Sequence, residues 1–139
     1  MTDSDDIEAI KQLKARYFRL MDTKDWDGYA TVFTDDVVID TSEDGAGIIQ
    51  GRAEFLPFLR QTIGDVTTVH HGHMPEIELT SATSATGIWA LQDILRWPNG
   101  AELHGYGHYH ETYVKSGDKW RIQSTRLTRL RMDFAQPEP

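Results

Sequence analysis

The chain has 139 residues, enough for one domain with a full apolar core and too few for two. Its 22 acidic residues outweigh 14 Lys and Arg, giving a formal charge of −8, and no basic cluster interrupts that background, which argues against nucleic acid or an anionic membrane as partner. Cysteine is absent, so disulfides and thiolate metal sites are excluded; Met1-Thr-Asp-Ser-Asp-Asp6 lacks the pattern of a secretion signal and no apolar run nears a membrane span, so a soluble, cytoplasmic protein is expected.

Asp3, Asp5 and Asp6 precede an amphipathic stretch, where first-turn acids favour a helix N-terminus. Ile7, Ile10, Leu13, Tyr17, Leu20 and Met21 recur at helical spacing and predict a first helix to about Asp22. Asp25–Phe33 reads as a short second helix with Trp26, Tyr29 and Phe33 on its inner side. Val37–Asp40 reads as a strand, Ser42–Gly47 as a loop and Ile48–Gln50 as a short strand. Arg52–Ile63 reads as a third helix, which Pro57 should bend or restart. From Val66 the pattern changes to long strands, Val66–Thr80, Ser84–Pro98, Ala101–Lys115 and Lys119–Phe134, with short turns between them. Helices followed by a strand meander make an α+β order. The prediction is a single domain, residues 1–139, in which a curved mixed or antiparallel sheet and about three helices on one face form a cone with a pocket at its mouth. Only residues 136–139 read as an unstructured tail.

Within the second long strand, Trp89, Leu91, Asp93, Leu95 and Trp97 share one parity, so a carboxylic acid interrupts an otherwise apolar face. Burying a carboxylate is costly unless it is paired, neutralised or hydrogen-bonded, which makes Asp93 either a satisfied structural acid or a group that manages a proton. Alternation in His70-His71-Gly72-His73 sends His71 and His73 to one face and His70 to the other. No partner set completes a zinc signature around them, so no metal is expected. A neutral imidazole is well matched to taking a proton near neutral pH, and a histidine entering the cone is the leading base. On the third long strand, His104, Tyr106, His108 and His110 share one parity and Leu103, Tyr109, Glu111 and Tyr113 the other. We expect the Tyr109–Glu111–Tyr113 side to line the cone, leaving the histidines on an outer, subunit-facing surface. Trp89, Tyr109 and Glu111 are accordingly expected to contact a substrate. Tyr17 falls on the apolar stripe of the first helix, whereas Asp22 sits at its C-terminal end, where the macrodipole disfavours an acid. The two lie about 140° apart around an ideal helix and reach one pocket only if the helix end abuts the cone mouth.

Asp6-Ile-Glu-Ala-Ile-Lys-Gln-Leu-Lys-Ala-Arg-Tyr17, Met21-Asp22, His70-x-Gly72-His73-x-Pro-Glu-Ile77 and Ala85-Thr-Gly-x-Trp89-x-Leu91-x-Asp93 resemble the bile acid 7α-dehydratase group. That group belongs to the SnoaL-like, nuclear-transport-factor-two-like superfamily, with scytalone dehydratase and the ketosteroid isomerases as wider relatives. Gly107-His-Tyr109-His-Glu111 followed by Gly117-Asp-Lys-Trp120-Arg-Ile122 resembles the closing hairpin of SnoaL-like domains. The resemblance spans about Asp6 to Arg129 and implies a cone-shaped α+β barrel, a homo-oligomer (dimer or trimer), and no metal or organic cofactor. It implies working residues at Tyr17, Asp22, His70 and Asp93, with an arginine on the last strand that best matches Arg129 and has Arg126 as its rival.

The chemistry these side chains permit can be stated on their own terms. His70, oriented by Asp22, would be a neutral base held in one tautomer. Tyr17, and Asp93 if its apolar neighbours keep it protonated, could donate hydrogen bonds to a developing enolate or a departing oxygen, as a neutral Asp beside a Tyr does in ketosteroid isomerase. The expected reaction is proton abstraction with β-elimination of water from a small hydrophobic alicyclic, steroid-like or aromatic hydroxy compound. The same groups would serve an isomerase, a dehydrohalogenase or a carbon–carbon lyase. The contrasting class is a non-catalytic ligand-binding or dimerisation domain.

Overall fold

The computed structural model describes residues 2–137. Helix α1 (Asp3–Asp22) opens with a capping box in which Thr2 Oγ1 accepts from the Asp5 amide and Asp5 accepts from the Thr2 amide. Helix α2 (Trp26–Ala30), strand β1 (Phe33–Thr41), a single 3-10 turn (Ser42–Asp44), β2 (Gly47–Gln50) and helix α3 (Arg52–Ile63) follow. Strands β3 (Thr67–Leu79), β4 (Ser84–Arg96), β5 (Glu102–Ser116) and β6 (Lys119–Ala135) complete the chain. The six strands form one sheet in the order β2-β1-β6-β5-β4-β3. Only the β1–β6 pairing is parallel, so the sheet is mixed.

Long strands with a right-handed twist curl, and the helices fill the resulting hollow. Period-2 alternation decides what enters it: Trp89, Leu91 and Asp93 of β4 are buried, as are Leu103, Tyr109, Glu111 and Tyr113 of β5 and Trp120, Ile122 and Leu127 of β6. The expected inner face of β5 is therefore the observed one, and His104, His108 and His110 lie on the opposite, partly exposed face. From the helices, Ile10, Leu13, Tyr17, Met21, Tyr29, Phe55 and Ile63 complete the core.

Two element expectations need correction. The second helix ends at Ala30, and Phe33 opens β1 instead of closing the helix; the Ile122 amide donates to Val32 O at 2.8 Å, so β6 draws this β-branched and aromatic segment into the sheet. Pro57 neither ends nor restarts α3, which runs unbroken over Arg52–Ile63. Pro57 and Ala53, the residue whose carbonyl loses its helical donor, are both exposed, so solvent can replace the missing bond. Proline does act in β3, where Pro75 cannot donate to a ladder and the register slips between His73 and Glu76. Of the predicted tail, Gln136 and Pro137 carry no regular structure, and residues 138–139 lie outside the described residues. Among the described residues, no helix is long and apolar enough to cross a membrane.

Asp6 does more than favour the start of a helix. It is buried, and one oxygen accepts from Lys115 Nζ and Trp120 Nε1, each at 3.0 Å, tying α1 to the β5–β6 hairpin. The Trp120 and Lys115 hydrogen bonds hold its carboxyl below the ordinary aspartate range. A depressed folded-state value means a stabilisation present above about pH 4 and lost as pH falls through the lower folded value. Asp6→Asn should therefore be less stable than wild type at neutral pH but lose less on acidification. Thermal melts between pH 6 and pH 3 check this; parallel curves for the two proteins would contradict it.

Candidate active site

The C-terminal end of α1 abuts β3, and one carboxylate joins them. Asp22 Oδ2 accepts from the His70 amide at 2.8 Å, while Oδ1 accepts from His70 Nδ1 at 2.7 Å and from Thr68 Oγ1 at 2.9 Å. Lys24, which turns the chain out of the helix with φ +62°, donates from Nζ to Thr68 Oγ1 at 2.8 Å. The acid that the macrodipole disfavours is thus repaid by three donors from a strand. A carboxylate only accepts, so His70 Nδ1 is the donor of this bond, and in the neutral ring Nε2 is then the acceptor. Phe18 stacks on the imidazole with ring centroids 6.3 Å apart, and the His70 side chain is only 9% exposed.

His70 stands directly opposite Asp93 in the β3–β4 register, a cross-strand position about 5 Å away at Cβ. Asp93 is paired. Its two oxygens accept from Arg129 Nη1 at 2.7 Å and Nη2 at 2.9 Å, and Arg129 also donates through Nε and Nη2 to Asp44 at 2.8 and 3.0 Å. Of the two readings left open for Asp93, this geometry fits the satisfied acid, because both oxygens accept from a cation. Burial works against the guanidinium charge, yet the hydrogen bonds and charges of Asp93 and Asp44 raise its pKa above the ordinary arginine value.

Local folding explains why Arg129, not Arg126, enters the site. β1 leaves β6 after the Asp40–Arg126 position, and the 3-10 turn takes its place: Glu43 accepts the Arg129 amide at 2.9 Å, and Asp44 reaches the guanidinium. A bulge in the β5–β6 ladder skips Leu130, so Arg129 faces inward and Leu130 projects into solvent. Arg126 is on the exposed face. Gly105 makes the ion pair possible, since a Cβ there would stand 2.1 Å from Asp93 Oδ1 and 2.3 Å from Arg129 Nη1.

These groups border a cavity of about 520 Å³. Tyr17, His70, Asp93, Tyr109, Thr125 and Arg129 are among its polar lining residues, with Glu43 and Asp44 beside Arg129, and Ile39, Phe55, Leu59, Leu95, Trp97, Leu127 and Phe134 form much of its apolar wall. Burial raises the pKa of Tyr17, Tyr29 and Tyr109, so all three phenols are neutral at physiological pH. Asp22 stands behind His70, outside the lining. Trp89 and Glu111, expected to contact a substrate, do not line the cavity either. Trp89 Nε1 donates to Tyr113 Oη at 3.0 Å, Tyr113 Oη donates to Glu111 Oε1 at 2.8 Å, and Lys14 Nζ donates to Glu111 Oε2 at 2.8 Å, which consumes both groups in a buried network. Of the three expected contacts, Tyr109 alone lines the cavity.

Sequence reasoning passed over Lys14, Thr68, Asp44 and Thr125. Lys14 carried a signal: it lies four residues after Ile10 and three before Tyr17, squarely on the apolar stripe, and its side chain is 0% exposed. Thr125 Oγ1 is buried without a hydrogen-bond partner among the described residues, and Thr125 lines the cavity. Among the described residues, no group of three or more His, Cys, Asp or Glu is arranged to hold a metal ion.

This combination of cone and pocket agrees with a match of residues 2–126 to the SnoaL-like domain family, to which the chain belongs. A probable cyclase, FGR4, of Gibberella zeae is 27% identical over 133 residues, covering 87% of this chain and 89% of that protein. Among solved structures, a Novosphingobium aromaticivorans protein provisionally described as a scytalone dehydratase superposes with a TM-score of 0.86 at 22% identity, covering 99% and 94% of the two chains. A type 2 hexachlorocyclohexane dehydrochlorinase (LinA) superposes with a TM-score of 0.85 at 17% identity, covering 97% and 94%.

Gly105→Ala should force Asp93 and Arg129 apart while leaving the sheet intact. The expected cost is about 1–3 kcal/mol in denaturant unfolding. A variant as stable as wild type, with the ion pair unchanged in its crystal structure, would contradict this account of Gly105.

Proposed function

We propose that this protein is a cofactor-independent lyase that removes a proton from carbon and eliminates water from a small hydrophobic hydroxy compound. The observation that carries this reading is His70, whose Nδ1 is committed to Asp22 at 2.7 Å while its ring borders a largely apolar cavity of about 520 Å³. Nε2 takes the proton from a carbon next to a carbonyl or aromatic electron sink. The ring gains positive charge, which Asp22 at Nδ1 and Asp93 across the strands both favour. Tyr17 donates a hydrogen bond to the oxygen on which negative charge develops, an interaction commonly worth about 3 kcal/mol of barrier. The C–O bond then breaks, and the imidazolium returns its proton from Nε2 to the departing hydroxyl, giving water. Arg129 anchors Asp93 beside the base through two hydrogen bonds, and the apolar walls exclude competing water.

Loss of water is favoured by the resemblance to the bile acid 7α-dehydratases and by the scytalone dehydratase description of one structural neighbour. A halide could leave by the same route, as the name of the dehydrochlorinase neighbour suggests, and an isomerase or carbon–carbon lyase would use the same base.

The test is a panel of small alicyclic and aromatic hydroxy-ketones incubated in D₂O, with loss of water followed by mass spectrometry and carbon-bound deuterium by NMR. Wild type should turn over or exchange at least one compound. His70→Ala and Asp22→Asn should each lose at least about a hundredfold in rate. Tyr17→Phe should lower kcat about a hundredfold with little change in KM. Equal turnover by wild type and His70→Ala would remove the proposed base.

A further inference from the structure

The mechanism above does not use a fully buried charge on the first helix. The Lys14 side chain is 0% exposed, and its Nζ lies 3.6 Å from the ring centroid of Tyr17, 3.7 Å from that of Tyr109 and 4.9 Å from that of Phe18. Tyr17 and Tyr109 line the cavity, so the ammonium sits behind two of its aromatic panels. Glu111 fixes it there, and Tyr113 and Trp89 fix Glu111 in turn. Burial lowers the ammonium's pKa while the charge and hydrogen bond of Glu111 oppose that shift.

A purely structural reading explains this arrangement poorly. A buried ion pair is costly to desolvate, and apolar residues of similar volume are often as stable or more so. A cation against a π face, by contrast, has a directional consequence: it draws electron density from the ring and makes the phenolic O–H a stronger donor. We propose that Lys14 is a positioning residue, held by Glu111, whose charge strengthens Tyr17 and Tyr109 as hydrogen-bond donors to an oxyanion in the cavity. This rests on the reading of Tyr17 as the group that receives developing negative charge. Glu111 and Trp89 thereby reach the site indirectly, through the tyrosines, although neither lines it.

The experiment compares two probes of nearly equal shape, p-nitrophenol, whose phenolate absorbs in the visible, and p-nitroanisole, which has no ionisable oxygen. Each is titrated by absorbance and calorimetry into wild type, Lys14→Arg and the paired variant Lys14→Met/Glu111→Leu, whose melting temperatures are also measured. The paired variant, which leaves the buried Tyr113 hydroxyl without its acceptor, is expected to melt lower than wild type yet to fold and to bind p-nitroanisole equally. It should bind p-nitrophenolate about tenfold more weakly, and Lys14→Arg should recover most of that loss. If the paired variant does not fold, the same ratio of affinities in Lys14→Gln takes its place. Undiminished phenolate binding without Lys14 overturns the proposal, as does an equal loss for both probes, which would mark a structural role only. Wild type binding p-nitroanisole but not p-nitrophenolate would defeat the oxyanion reading itself, and this inference with it.

Discussion

The arrangement depends on one carboxylate that closes the cone. Asp22 receives three hydrogen bonds from Thr68 and His70, residues far along the chain, and in doing so fixes helix to sheet and orients a ring. An unpaired acid at a helix C-terminus would repel the helix's own carbonyls. Its donors offset that cost only while β3 lies against the helix end, so fold and site geometry are stabilised by the same contacts. Nδ1 is the nitrogen turned toward Asp22 at this junction, so in the neutral ring Nε2 is the nitrogen left to accept.

Around that junction the concave face separates its charges into two satisfied groups. Arg129 lies between Asp93 and Asp44 near the cavity, and Lys14 meets Glu111 behind it. Each ionised group faces an opposite charge and at least one further hydrogen bond or π face, the condition under which buried charge is tolerated. Backbone irregularity serves the first group directly: the missing side chain at Gly105, the bulge at Leu130 and the 3-10 turn that replaces β1 each make room for Arg129 or hold it. Apolar side chains make up much of the remaining wall, so a ligand would meet a few polar contacts in a largely apolar hollow.

Much of this was legible in the chain. Strand parity places Asp93 on the core face and His70 opposite His71 and His73, because alternation holds over each stretch between bulges. The inner face of β5 was the Tyr109–Glu111–Tyr113 side, as expected. Three-dimensional pairing was not legible. Periodicity leaves open whether Asp93 is paired, because its partner lies 36 residues away, on the next strand but one, and reaches it only past a glycine. Trp89 and Glu111 were read as substrate contacts because parity gives the face but not the depth at which a neighbouring tyrosine covers it. The spacing of Phe33 from Trp26 and Tyr29 fits the helical period, and parallel pairing with β6 overrides it. Lys14 was overlooked because a single lysine on an apolar stripe usually extends its charge into water, and here Glu111 offered a partner inside.

The central claim, that Asp22 presets His70 as a base facing the cavity, is most directly tested by long-range ¹⁵N–¹H NMR of the histidine ring nitrogens in wild type and Asp22→Asn. The neutral His70 ring should carry its hydrogen on Nδ1 and show an unprotonated Nε2 in wild type, and lose that fixed tautomer in Asp22→Asn. A wild-type ring protonated at Nε2 and bare at Nδ1 would contradict the account.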